Sequence, residues 1–206
     1  MKKLFIPTEY KLELDKSKIK KTLNKLPSNL IIFYTSQYKE IAKEIKNILK
    51  NKNIIQFQQV LGCSKINQNK KAKAILFIGS GNFHSIGILL NTNILVYTYY
   101  PEKNFLKKIT KEQSEKLRKK QKASYMNYLN SEKIGFLISI KPGQNKLEKA
   151  ISLKNKIKNK KTYLFLGNNF NISEFENFSI DSWINTACPR LDINSNKIIN
   201  YQNLCF

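Results

Sequence analysis

Cys63 ends the run Gln58-Gln-Val-Leu-Gly-Cys63, and Cys188 sits in Asp181-Ser-Trp-Ile-Asn-Thr-Ala-Cys-Pro-Arg190. Each run reads as a short apolar strand that presents one cysteine at its end. Two similar units, each giving one thiolate, are a way to build a shared metal site. No CxxC pair exists, which excludes zinc ribbons and thioredoxin-like redox motifs. His84 is the single histidine, so neither a histidine-based triad nor a multi-histidine zinc site can form within the chain. Iron-sulfur clusters use cysteine thiolates, and a four-iron cluster held by three of them leaves one iron open to a ligand. The competing reading makes Cys63 and Cys188 small buried hydrophobes. The third cysteine, Cys205, lies beside the C-terminal Phe206.

Three other segments carry polar or glycine residues just after an expected strand, where open α/β sheets bind ligands. In Gly79-Ser-Gly-Asn-Phe-His84, Gly79, Ser80 and Gly81 bring backbone N–H groups close to a bound phosphate, carboxylate or adenosine group. A dinucleotide fingerprint would need a third glycine where His84 stands, so conventional NAD binding is not expected. Lys141-Pro-Gly-Gln144 offers a rigid turn, a glycine and an amide (Lys141, Gly143, Gln144) at a helix start. Arg190 could clamp a ligand carboxylate; a fold-stabilising ion pair is its plainer role. No single residue declares itself as the catalytic acid, base or nucleophile.

These segments need elements to position them. Leu30–Thr35 reads as a strand, followed at helical spacing by Tyr38, Ile41, Ile45, Ile48 and Leu49. Ile54–Leu61, Ala72–Gly79 and Ile94–Tyr99 read as further strands, and His84–Leu90 as a short helix. Phe105–Leu129 is charged with spaced apolar residues and predicts one long exposed helix. The pattern then restarts: strand Lys133–Ile140, helix Lys146–Ile157, strand Thr162–Leu166, a short helix over Ile172–Phe178, and a last strand at Trp183–Thr186. Alternating strands and helices imply parallel sheets. The expected fold class is α/β: two consecutive Rossmann-like parallel-sheet domains with flanking helices. Residues 1–104 would carry Cys63 and the GSGNFH loop, and 105–206 a leading helix, KPGQ and ACPR.

Composition sets the bounds. With 206 residues and 41% hydrophobic content, the chain can bury a sizeable core. It has no apolar run long enough to span a membrane and no secretory signal pattern at its start, so a cytoplasmic protein is expected. The net charge of +23 invites a nucleic-acid reading. Only Arg118 and Arg190 are arginines among the 37 basic residues, however, and the lysine, asparagine and isoleucine bias is what an A+T-rich coding sequence would give. Nucleic-acid binding is therefore open but not favoured. The basic stretches Lys16–Lys21 and Lys154–Lys161 also suit solvated faces of surface helices.

Taken in order, Gln-Val-Leu-Gly-Cys63, Leu76-Phe-Ile-Gly-Ser-Gly-Asn-Phe-His84, Ser139-Ile-Lys-Pro-Gly-Gln144 and Asn185-Thr-Ala-Cys-Pro-Arg190 resemble the diphthamide-biosynthesis family, in particular its archaeal 2-(3-amino-3-carboxypropyl)histidine synthases. The resemblance implies an unconventional radical S-adenosylmethionine enzyme built from three related α/β domains, each giving one cysteine to a 4Fe-4S cluster. It covers the second and third domains only, which makes Cys63 and Cys188 two metal ligands and leaves the first domain without a counterpart here. The implied reaction transfers a 3-amino-3-carboxypropyl group from S-adenosylmethionine to a histidine of translation elongation factor 2. Gly79, Ser80, Gly81, His84, Lys141, Gly143, Gln144 and Arg190 would line the cofactor pocket, with Arg190 assigned to the methionine carboxylate by charge.

The third ligand would come from a separately encoded first-domain protein, making a split enzyme, or from Cys205. The chain would then work as a homo- or hetero-oligomer. The competing class is a non-catalytic family member that serves as a scaffold or a nucleotide- or RNA-binding subunit. Reliance on Cys63 and Cys188 separates the two.

Overall fold

The computed structural model describes residues 8–61, 69, 71–81, 83–90, 92–189, 191 and 195–204. Two compact units divide the chain at Met1–Ser114 and Glu115–Phe206.

The first unit is a five-stranded sheet in the order β2-β1-β3-β4-β5, formed by β1 (Asn29–Tyr34), β2 (Asn53–Gln59), β3 (Ala74–Ile78), β4 (Leu95–Tyr100) and β5 (Phe105–Lys108). All pairs are parallel except β4 with β5. Strands β1 and β3 lie in the middle and are buried over almost their whole length, which explains their unbroken runs of apolar residues. Successive side chains point to opposite faces, and the sequence uses both. Leu30, Ile32, Leu76 and Ile78 meet Ile19 and Leu23 of α1 (Lys16–Leu23) and Ile41 and Ile45 of α2 (Lys39–Ile48). On the opposite face, Ile31, Phe33, Ile75 and Phe77 meet Ile88 of α3 (Phe83–Leu90). At the start of α1, the Asp15 carboxylate accepts from the backbone N–H of Ser17 and Lys18, each at 3.1 Å, a normal N-cap.

The second unit has four strands, all parallel, in the order β7-β6-β8-β9: β6 (Lys133–Ser139), β7 (Lys161–Gly167), β8 (Ser182–Asn185) and β9 (Ile198–Asn200). One face packs Ile134, Phe136, Ile138 and Ile184 against Ala150 and Leu153 of α5 (Leu147–Lys156) and Tyr128 of α4 (Lys111–Asn130). The other face is aromatic. Trp183 stacks on Phe175 at 4.4 Å between ring centroids and meets Phe165 edge-on at 4.8 Å, with Phe170 and Ile180 around them. Gly135 admits this packing, because a Cβ there would fall 2.4 Å from the Trp183 ring.

The α/β class and the parallel sheets are as the sequence predicts, and three elements differ. The expected helix over Phe105–Leu129 begins only at Lys111; its first residues form β5, antiparallel to β4 with Tyr100 opposite Phe105. Pro101–Lys103 makes a 3-10 turn and Asn104 takes a left-handed φ of 43°, so a tight reversal precedes the helix. The segment Ile172–Asn177 is 3-10 rather than α-helical. Strand β9 follows what the sequence marks as the last strand.

Candidate functional site

In each unit the residues singled out by sequence follow the carboxyl ends of parallel strands. In the first, β1 leads to Thr35, β2 to Val60 and Leu61, β3 to Gly79-Ser80-Gly81 and β4 to the Pro101–Lys103 turn. The Gly79 N–H bonds the Tyr99 carbonyl at 3.3 Å, and the Thr35 N–H bonds the Ile78 carbonyl at 3.4 Å. Gly79 has no room for a side chain: a Cβ would lie 2.8 Å from the Phe77 ring and 3.4 Å from Thr35 Oγ1. Gly81 has φ +74°, a conformation that glycine adopts at little cost. Ser80 and Gly81 are exposed, and His84 is half-buried at the start of α3 with its ring 5.6 Å from that of Phe77.

Next to this turn, the Tyr38 hydroxyl donates to the Glu102 carboxylate, and Ser80 also hydrogen-bonds the phenol. Burial, with Glu102 adding to it, pushes Tyr38 up to about 12. Burial and the charge of Glu102 likewise push Tyr99 up to about 12, and its hydroxyl donates to Asn104 at 2.8 Å. Both phenols therefore stay protonated: Tyr38, after β1, holds Ser80 after β3 and Glu102 after β4, and Tyr99 holds the turn between β4 and β5. The sequence reading missed this cluster, since lone tyrosines carry no spacing signal.

In the second unit, Lys141 follows β6. Its N–H bonds Ser139 Oγ at 3.2 Å, and its ammonium donates to Asn169 Oδ1, just past β7, at 2.6 Å. Gly143 has φ +75°, and the Gln144 N–H closes the turn onto the Lys141 carbonyl at 3.1 Å. Asn145, just before the N-cap residue Lys146 of α5, accepts from the Leu147 N–H at 3.1 Å.

Past β8, Cys188 is a half-buried free thiol. Asn185 Nδ2 donates to the Cys188 carbonyl at 2.8 Å and to Asn200 Oδ1 at 2.6 Å, while Asn185 Oδ1 accepts from the Ala187 N–H at 2.9 Å. Asn200 Nδ2 reaches the Pro189 carbonyl at 3.2 Å. Thr186 binds the Leu137 carbonyl through both its N–H, at 3.0 Å, and its Oγ1, at 2.8 Å.

Cys63, Arg190 and Cys205 lie outside the described residues. Among the described residues, no group of three or more His, Cys, Asp and Glu could hold a metal ion, so the described part offers Cys188 alone. A half-exposed thiol on a fixed turn suits a soft-metal or iron-sulfur ligand. Also among the described residues, no helix is long and apolar enough to cross a membrane.

The class defined by these features is a Rossmann-like α/β protein with two mainly parallel sheets; glycine turns follow strand ends in both, and buried amides and a presented thiol follow them in the second. Residues 1–201 match the family model described as "Putative diphthamide synthesis protein", and the chain belongs to that family. It is 28% identical over 184 residues to the 2-(3-amino-3-carboxypropyl)histidine synthase of Pyrococcus horikoshii, covering 83% of this chain and 53% of that protein. To the synthase of Methanocaldococcus jannaschii it is 29% identical over 205 residues, 93% of this chain and 56% of that one. The chain thus spans about half the length of these curated relatives. In structure it resembles Dph2 from Pyrococcus horikoshii, solved with a 4Fe-4S cluster, at a TM-score of 0.78 and 25% identity, covering 91% of this chain and 60% of that one.

Proposed function

We propose that this chain is part of a 2-(3-amino-3-carboxypropyl)histidine synthase, moving a 3-amino-3-carboxypropyl group from S-adenosylmethionine to a histidine of translation elongation factor 2 in the cytoplasm. The observation that carries this reading is Cys188, presented half-exposed at the carboxyl end of β8 within a chain that matches the family over residues 1–201. The Dph2 relative with its 4Fe-4S cluster supports an iron-sulfur role for that thiol.

Cys188 and Cys63 would hold such a cluster together with a third cysteine from a separately encoded polypeptide, Cys205 being the alternative source. When bound, the cluster supplies the electron that breaks the sulfur–carbon bond of S-adenosylmethionine. This chain's own residues bind and orient. With the Gly79 N–H bonded to Tyr99, Ser80 and Gly81 would offer backbone N–H groups to an anionic or ribose group, and Gly79 and His84 would shape the turn and the start of α3 beside it. Lys141, held by Asn169, brings positive charge to the edge that carries Cys188, and Gly143 and Gln144 shape the turn beside it. Arg190 would face the carboxylate of the methionine moiety.

Iron and sulfide content after anaerobic purification tests this reading, with and without co-expression of a candidate first-domain protein. Cluster iron should rise with the partner and vanish in Cys63→Ala and Cys188→Ala. Retention of the cluster in Cys188→Ala would refute it. Cys205→Ala should leave the content unchanged if the partner supplies the third ligand.

A further inference from the structure

The turn that carries Cys188 is held by more buried amides than a strand end requires. Asn185 is 1% exposed and Asn200 8%, and burying such a side chain is costly unless its donors and acceptors are paired. Here the pairing is directed. The two residues stand opposite each other in the register of β8 and β9, and their amides interlock at 2.6 Å. One then reaches the carbonyl of Cys188 and the other the carbonyl of Pro189. Asn185 also accepts from the Ala187 N–H, so one side chain ties backbone groups at residues 187 and 188. Strand β9 is three residues long, and its last residue is the one that completes this clasp. Thr186 fixes the root of the same turn to β6 through the Leu137 carbonyl. Apolar residues would fill the space equally well but would leave those carbonyls unheld.

We propose that Asn185 and Asn200 are a positioning pair that holds the Cys188 turn in the one conformation that presents its thiol as a ligand. The proposal rests on the iron-sulfur reading of Cys188 given above. Residues that orient a metal ligand without touching the metal commonly set how well the ligand binds, and a backbone clasp does this for a cysteine.

The test uses the full chain, reduced and free of cluster, as wild type, Asn185→Ala, Asn200→Ala and the core control Ile199→Val. Ile199 is buried on β9 within the α4/α5-facing core, so its variant weakens the same strand without touching the clasp. The first readouts are the alkylation rate of Cys188, followed by peptide mass spectrometry, and amide exchange over residues 186–191. Both asparagine variants should alkylate Cys188 roughly fivefold faster or more, since each loses at least two hydrogen bonds of the clasp, and Ile199→Val should match wild type. Equal rates in all four proteins would overturn the proposal, as would an acceleration by Ile199→Val equal to that of the asparagine variants. The second readout is the electron paramagnetic resonance spectrum of the reconstituted cluster with the partner present, which should broaden or shift in Asn200→Ala. A wild-type protein that takes up no cluster counts against the iron-sulfur reading, whereas the cluster-free alkylation rates decide the positioning role by themselves.

Discussion

A methyl group on Gly135 would fall 2.4 Å from the Trp183 ring and 3.2 Å from that of Phe165, and the aromatic face of the second sheet has no slack to receive it. Gly135→Ala is therefore expected to destabilise the second unit by about 1–3 kcal/mol, read from urea denaturation followed by tryptophan fluorescence. Trp183 is the chain's one tryptophan, so the probe reports on this unit alone. An unchanged midpoint would mean that the ring moves freely. The candidate site was partly legible at this scale. Cys188 stands out because cysteine is rare here and its neighbours form an ordered motif. Asn185 and Asn200 do not, since asparagine is abundant throughout and only the β8–β9 register brings this pair together. The Tyr38–Glu102 contact joins residues 64 positions apart, beyond the reach of any local pattern.

Among the elements, β6 and β8 are pinned at their starts by one side chain. Asp181 Oδ2 accepts from the Lys133 N–H at 2.8 Å and the Glu132 N–H at 3.0 Å. The Lys133 bond is the main cause that holds its carboxyl below the ordinary 3.8. The stabilisation is present above that ordinary value and lost as pH falls through the lowered folded-state one. Asp181→Ala should cost the second unit about 1 kcal/mol at neutral pH, discounted for exposure, and flatten its acid unfolding curve; an unaltered acid limb would contradict this. On the alkaline side two tyrosines of the first unit stand out, while burial also raises Tyr128 of the second. Tyr38 and Tyr99 are raised from 10.0 to about 12, so the stability gained by keeping them neutral is complete below 10.0 and lost as pH rises through about 12. Tyrosinate absorbance and circular dichroism should change together in that window. Loss of structure below it would place the weakness elsewhere. Central strands were legible because both faces are apolar. Strands β5 and β9 were not, being four and three residues long and defined by their partners more than by their own pattern.

The whole molecule carries a charge of +23, and among the described residues the ion pairs Lys18–Asp15 and Lys43–Glu40 are exposed contacts within single helical turns that relieve little of it. Self-repulsion should weaken the compact state. Raising sodium chloride from about 20 mM to about 200 mM, which shortens the screening length to below ~10 Å, should raise the unfolding temperature by about 2 °C or more. A fall would mean that attractive pairs outweigh the repulsion. The two units also share one strand order: β2-β1-β3-β4 in the first corresponds to β7-β6-β8-β9 in the second. In sequence, Cys63 follows β2 whereas Cys188 follows β8, the counterpart of β3. If the second sheet were laid on the first, Cys188 would fall on the Gly79–Gly81 turn. The architecture is duplicated and the thiols are not, so each unit offers at its equivalent strand end something other than a second sulfur. The position that Cys188 takes in the second sheet is held in the first by the Gly79–Gly81 turn, so the ligand arrangement of one unit cannot be carried over to the other by their shared topology.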